Sequence, residues 1–419
     1  MKVIIVGGGF AGINLAKSLA HNKSINVVLV DKNNYHFFPP LLYQVATSFI
    51  EPSNISYPFR RMFQHKPNLR FHMGTLLKIN RHENTVDTDT GTLSYDYLVL
   101  AMGTETNYFG METLTRNAFP MKTIDDALLL RNRILLNAEK AVRSADPAER
   151  ERLLTIVVAG GGATGVEVSG MIAEMSRNIL KKDYPELGDG RGHIYLVTSG
   201  SELLGPMSTK SQQEAEKVLT RLGVKVKFNA RVKDYTNEQK VIFADGSGIE
   251  TPALIWATGV IARNAPGLDP DMINKHNRIK VNEFCQVLNT ENIFAIGDQS
   301  VTTTDPAYPN GYPQLAQPAI QQGKFMAAHL ARLAEGKKPQ PFVFKDKGSM
   351  AIISKYKAVV DLPRNIFFKG YPAWVVWIFI HLIPIAGFRN KGKLALNWFW
   401  SFITNDPTLR LILRPKKEQ

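Results

Sequence analysis

The first apolar stretch of the chain is short and ends in glycine. Val3 to Val6 are all apolar and stop at Gly7, which predicts a buried strand. Gly7-Gly8-Gly9-Phe10-Ala11-Gly12 follows, and Ile13 to Leu19 then place apolar residues at helical spacing. A second strand, Val27 to Val30, ends at Asp31. The order repeats further on. Thr155 to Ala159 predict a strand, Gly160-Gly161-Gly162-Ala163-Thr164-Gly165 a loop, and Val166 to Met175 a helix. His193 to Val197 predict the next strand, and it ends at Thr198. Three more apolar runs enter small-residue turns: Tyr97 to Gly103, Leu254 to Gly259, and Asn292 to Ile296 before Gly297-Asp298. Thr123 and Asp126 stand at N-cap and N3 of a further helix, approximating a capping box.

Both glycine clusters have the G-x-G-x-x-G spacing of a dinucleotide loop, each between a strand and a helix. Gly7 and Gly160 allow the tight turn. Gly9 and Gly162 let backbone N–H groups approach a pyrophosphate, and Gly12 and Gly165 let helix and strand pack closely. The helix N-terminus adds partial positive charge. Asp31 can accept hydrogen bonds from ribose hydroxyls, whereas Thr198 puts no acid at the equivalent place. An acid there would favour NADH by repelling a 2′-phosphate, and its absence leaves NADPH open. The fold class that follows is α/β with two Rossmann-like domains. Two such loops on one chain imply one bound redox carrier and one exchangeable reductant.

Charge and cysteine content narrow the chemistry. Residues 341–419 carry 13 Lys/Arg against 4 Asp/Glu, a net +9 of the chain's +14, and hold four of its five tryptophans. The apolar run Pro372 to Phe388 includes His381 and Pro384 and is about 17 residues long, marginal for the ~20 a spanning helix needs. Trp and Lys/Arg among Leu, Ile and Phe suit the headgroup boundary, so a C-terminal amphipathic membrane-binding segment is expected. No nucleic-acid module is legible and nucleic acid is not expected as a partner. No secretory leader is read at the N-terminus, so the cytoplasmic side is expected. Cys285 is the one cysteine, which excludes a disulfide framework, a dithiol redox pair and a cysteine-rich metal site. The nine histidines show no paired ligand spacing, and no metal is expected.

These motifs resemble the two-dinucleotide-domain flavoproteins, and most closely the type II (alternative, non-proton-pumping) NADH:quinone oxidoreductases. Asp31-Lys32-Asn33-Asn34-Tyr35-His36-Phe37, Pro40 to Ala46, Thr164-Gly165-Val166-Glu167 and Gly297-Asp298 carry the likeness. Ala316-Gln317-Pro318-Ala319-Ile320-Gln321 is similar to that family's A-Q-x-A-x-Q quinone motif, and Gly387 to Lys391 with the aromatic tail to its membrane-binding end. The resemblance implies FAD on the first loop, Asp31, Gly297 and Asp298, and NAD(P)H on Gly160, Gly162 and Gly165. It implies quinone near Ala316, Gln317 and Gln321, and Glu167 near the nicotinamide as a proton-handling group. By their own spacing Gln317 and Gln321 share one helix face, and both face either a ligand or water. Thr198 and Met171 stand where that family usually has acids. The implied organisation is a discontinuous FAD domain (1–118 and 286–336), an NAD(P)H domain (119–285) and a membrane-associated region (337–419). The implied enzyme is a peripheral one on the cytoplasmic face of the cell membrane, with a homodimer as a family expectation. A flavoprotein oxidoreductase with a non-quinone acceptor, soluble or regulatory, is the alternative.

Overall fold

The computed structural model describes residues 1–188, 192–404 and 410–413; the side chains of Phe388, Arg389 and 401–404 lie outside that description. The chain forms two compact units. One comprises Met1–Phe37, Ser56–Glu105 and Val260–Lys347, the other Phe38–Ile55, Thr106–Gly259 and Gly348–Gln419.

The first unit is built on a five-stranded sheet, in the order Ile293–Ala295, Tyr97–Leu100, Lys2–Val6, Asn26–Asp31, Leu69–Met73. Every neighbouring pair is parallel. A parallel sheet is covered on both faces, so its strands read as continuous apolar runs and not as alternation. Ile4, Ile5, Leu98, Val99 and Leu100 are accordingly fully buried. The first loop helix, Phe10–Leu19, lies against the long helix Ala316–Ala334.

The second unit repeats the plan. Its sheet runs Phe119–Pro120, Ala253–Trp256, Ile156–Ala159, Ile194–Val197, Val224–Lys227, again all parallel. The helix Ile124–Arg143 starts with the expected capping box: Asp126 N–H donates to Thr123 Oγ1 at 3.1 Å, and Thr123 N–H to Asp126 Oδ2 at 2.8 Å. The segment Phe38–Ile55 belongs to this unit, and its short helix Leu42–Ala46 packs on Ile124–Arg143 and on the second loop helix, Ala163–Met175.

Past residue 348 the chain does more than the tail composition suggested. Ser349–Ser354, Lys357–Leu362 and Ile366–Lys369 form a three-stranded antiparallel sheet. It packs on the second loop helix and on helix Thr209–Arg221. The Asp361 carboxylate ties the two together, accepting from Ser208 N–H at 2.7 Å, Ser208 Oγ at 2.8 Å and Ser211 Oγ at 3.0 Å. The apolar run beyond does not form one continuous helix. It breaks into Gly370–Leu382 and Phe388–Thr404, with Pro384 between them. Among the described residues no helix is long and apolar enough to cross a membrane.

Candidate functional site

The two glycine loops match at their first, third and sixth positions. Gly7 has φ +106° and donates to Val30 O at 2.8 Å; a Cβ there would lie 2.4 Å from Ala101 O. Gly160 has φ +124° and donates to Val197 O at 2.8 Å; a Cβ there would lie 2.3 Å from Ala257 O. Both positions need glycine twice over, for the backbone angle and for the close approach. Gly12 and Gly165 pack on their own loops, where a Cβ would come within 1.9 Å of Gly7 O and 1.8 Å of Gly160 O. Gly9 and Gly162, the N-caps, differ: nothing lies within 4 Å of a Cβ built on either. Neither loop helix has a side-chain cap among the described residues. Each loop is therefore an open cradle of uncapped N–H donors at the positive end of a helix, which fits a pyrophosphate.

The strand after each loop supplies the next contact. Asp31 Oδ2 accepts from Gly8 N–H at 2.6 Å and Oδ1 from Asn33 N–H at 2.8 Å. Burial raises its carboxyl and these two donors pull it back. In the second loop the neutral Thr198 hydroxyl accepts from Gly200 N–H at 3.2 Å and lies 2.8 Å from where a Cβ on Gly161 would stand. His36, not selected from the sequence, is buried with Nδ1 2.9 Å from Gly8 O and its ring edge-on to Phe10. Burial lowers it to about 4, so it supports the loop as a neutral ring.

The Gly297-Asp298 turn also belongs to the first unit. Gly297, at φ +73°, donates to Gln322 Oε1 at 2.6 Å, and Asp298 O accepts from Gln314 Nε2 at 2.9 Å. Gln299 is fully buried and bridges Met102 N–H and Arg263 O, both at 3.0 Å. The Asp298 charge is felt by the Arg278 guanidinium, whose Nε and Nη2 hold Ser300 O and Tyr312 O at 2.9 and 3.0 Å. Gln314, Gln299 and Gln322 were not selected from the sequence; only the neighbouring glutamine motif pointed to Gln322. That motif opens the helix Ala316–Ala334. The Gln321 amide makes a two-way bond to the Lys345 backbone, Nε2 to O at 2.9 Å and N–H to Oε1 at 3.0 Å. Gln317, one turn earlier, is half-buried. The shared face thus places Gln321 on neighbouring backbone.

Glu167 sits in the second loop helix of the other unit. Its Oε1 accepts from Ile352 N–H at 3.4 Å, and burial pushes its carboxyl up to about 8. The Tyr43 hydroxyl is also pushed up, first by burial and then by the Glu167 charge. Gln44 Nε2 donates to Tyr43 Oη at 3.0 Å, and Trp398 Nε1 donates to Gln44 Oε1 at 2.8 Å. Beside them lies a small, largely apolar pocket lined by Gln44, Met171, Ile352, Lys355, Trp377 and Trp398. Met171 forms an apolar part of its wall.

Parallel sheets, twin cradles and an acid on the first nucleotide strand define a two-nucleotide α/β oxidoreductase fold. Comparison with known proteins agrees. Residues 1–323 match the pyridine nucleotide-disulphide oxidoreductase family profile. The type II NADH:quinone oxidoreductase Ndh of Mycobacterium tuberculosis is 33% identical over 418 residues, covering 96% of this chain and 88% of that protein. A mitochondrial internal alternative NAD(P)H-ubiquinone oxidoreductase A1 of Arabidopsis thaliana is 29% identical over 96% of this chain and 84% of its own. The structure of NDH2 from Plasmodium falciparum in complex with NADH has the same fold, with a TM-score of 0.88, 22% identity and 99% of both chains covered. The chain therefore belongs to the pyridine nucleotide-disulphide oxidoreductase family and, within it, to the type II NADH:quinone oxidoreductases. The disulphide chemistry in the wider family's name has no counterpart here. Cys285 is alone, buried, and its thiol is pushed up to about 12.

Proposed function

We propose that this protein is a flavoenzyme that takes hydride from NADH and passes two electrons to a membrane quinone without pumping protons. The observation that carries it is the pair of matched cradles in a chain with one inert cysteine. Two nucleotides are held, and no side-chain redox group intervenes. Gly7, Gly9, Gly12, Asp31, Gly297 and Asp298 are the FAD residues; Gly160, Gly162 and Gly165 are the NAD(P)H residues. Bound flavin supplies the two-electron relay between nicotinamide and quinone. The chain's own groups orient, exclude water and move protons. Glu167, mostly protonated at neutral pH, is suited to donate a proton during quinone reduction. Ala316 and Gln317 are assigned to the quinone by the motif they share with the family, and Gln321 to holding the Lys345 backbone that borders it.

The test is an anaerobic titration of the visible flavin band. NADH bleaches it, and ubiquinone or menaquinone analogues restore it. A yellow protein that neither NADH nor NADPH bleaches overturns the reading in favour of a vestigial second site. NADPH bleaches the band too, because Thr198 offers no charge against a 2′-phosphate. Thr198→Glu restores the repulsion and lowers kcat/KM for NADPH at least about tenfold relative to NADH. Equal ratios in the two proteins would exclude Thr198 from nucleotide choice.

We assign the lipid surface to the C-terminal helices. Phe379, Ile383, Leu396 and Phe399 are 65, 71, 68 and 62% exposed, beside Lys391 and Lys393. Such apolar surface rimmed by cations suits an anionic headgroup boundary and supports peripheral attachment, in our reading on the cytoplasmic face of the cell membrane. Phe379→Glu with Ile383→Glu is expected to weaken binding to anionic vesicles at least about tenfold while NADH still bleaches the flavin. Unchanged vesicle binding with loss of a dimer would assign the surface to a second copy instead.

A further inference from the structure

The two strands that flank Ile156–Ala159 end on opposite sides of the second cradle. Ile194–Val197 ends at Thr198, the position that reads the adenosine ribose, so the adenosine half of a bound dinucleotide belongs on that side. The nicotinamide half then extends to the other side, over the end of Ala253–Trp256. That strand runs into Ala257-Thr258-Gly259, and the turn touches the loop directly, since the Ala257 carbonyl is what leaves no room for a Cβ on Gly160. Gly259 is exposed, with φ +137°; among the described residues a Cβ there would meet Phe109 Cζ alone, at 3.9 Å.

Phe109 is an unusual surface residue. It is 58% exposed at φ +53°, a left-handed angle that strains a bulky side chain. Leu204 has the same angle but is 1% exposed, so packing offsets its strain. The Phe109 ring stands edge-on to Trp256, centroids 6.5 Å apart, and most of it faces solvent. Its backbone is nevertheless held fast. Asn107 Oδ1 accepts from Phe109 N–H at 2.8 Å, Asn107 O accepts from Trp256 Nε1 at 2.8 Å, and Asn107 N–H donates to Gly259 O at 3.2 Å. These bonds pin the strained loop to the strand and turn that border the cradle.

We propose that Phe109 is the aromatic wall of the nicotinamide subsite, packing against the nicotinamide riboside of NAD(P)H. This rests on the second loop as the NAD(P)H cradle. The glycine loop fixes the pyrophosphate and Thr198 marks the adenosine side, but neither bears on the nicotinamide end. Gly259 leaves the backbone open where that end arrives, and Phe109 stands at the edge of the opening. A flat apolar ring there suits a flat nicotinamide. Its place is kept by hydrogen bonds made without ligand, so binding has little left to order. Strain held at an exposed aromatic is thereby put to use in recognition.

The experiment is calorimetric binding to the oxidised, flavin-loaded full chain, comparing NAD⁺ with ADP. ADP keeps the adenosine and the pyrophosphate and lacks the nicotinamide riboside. Phe109→Asn removes the ring but keeps a residue that tolerates a left-handed backbone, so the loop retains its shape. Its dissociation constant for NAD⁺ is expected to rise about tenfold, while that for ADP stays within about twofold. Phe109→Tyr keeps the ring and is expected to bind both ligands as the wild type does. Unchanged NAD⁺ binding in Phe109→Asn would overturn the proposal. So would equal weakening of NAD⁺ and ADP, which reports a distorted cradle, or a Phe109→Tyr as weak for NAD⁺ as Phe109→Asn. Gly165→Val, which distorts the cradle itself, should lose both ligands. If it binds both normally, it is the NAD(P)H assignment of the second loop that fails.

Discussion

Replacing Glu167 by Gln is expected to make the protein more stable and less active. Burial raises this carboxyl from 4.5 to about 8. The unfolded chain releases the proton near pH 4.5 and the folded chain keeps it until about pH 8, so between those values the native state binds more protons. Wild-type stability therefore falls as pH rises through that window. At pH 7 the gap amounts to about 3 kcal/mol at most, reduced by the partial exposure of the side chain. Gln carries no such penalty. Denaturant melts of the two proteins should coincide near pH 4.5 and separate steadily toward pH 8, the variant being the more stable. Quinone-dependent flavin reoxidation in the variant should fall about 100-fold, the lower range for loss of a general acid. In the wild type that rate should itself decline above pH 8 as Glu167 ionises. A constant stability difference across pH would mean that the side chain is not desolvated. That pattern, stability given up where a proton is needed, is common at reaction centres.

What could be read from the chain alone was whatever the backbone itself demands. Gly7, Gly12, Gly160 and Gly165 are glycines because a Cβ would collide with a carbonyl, and that requirement is written in their spacing. Strands of a parallel sheet are apolar throughout, so Lys2–Val6 and Ile156–Ala159 were equally visible. The sheet of Ser349–Lys369 was hidden by its surroundings. Met350 to Ile353 form an apolar run, but the basic, aromatic composition of the region dominated the reading. The fate of Gln321 was equally out of reach, since Lys345 meets it only through the fold. Glu167 was identifiable by motif, but its raised proton affinity was not. The strand that covers it begins at Ser349, far along the chain, and no local pattern records that contact. His36, Gln314, Gln299 and Gln322 are of the same kind, polar side chains whose partners are backbone atoms of distant turns. Local spacing records what a residue does to its own loop. It does not record which distant backbone the residue will hold.

The matched loops make opposite predictions for matched substitutions. Gly12→Val and Gly165→Val each put a branched side chain where a Cβ already comes within 1.9 and 1.8 Å of a loop carbonyl. Neither carbonyl can retreat, because Gly7 and Gly160 are pinned by bonds to Val30 and Val197 and pressed against Ala101 and Ala257. Relief comes only from moving the loop off its helix, which misaims the N–H donors of the cradle; overpacking of this kind costs about 1–3 kcal/mol or more. Gly12→Val is expected to purify nearly colourless, having lost its flavin, and to show no NADH oxidation. Gly165→Val is expected to stay yellow. Its NADH dissociation constant should rise at least about 100-fold, equal to about 2.7 kcal/mol. Chemically reduced flavin in Gly165→Val should still be reoxidised by quinone at the wild-type rate, because that half-reaction does not use the second cradle. A yellow Gly12→Val beside a colourless Gly165→Val would exchange the two nucleotides between the loops. If both variants were yellow and bleached normally by NADH, neither cradle could be holding a pyrophosphate.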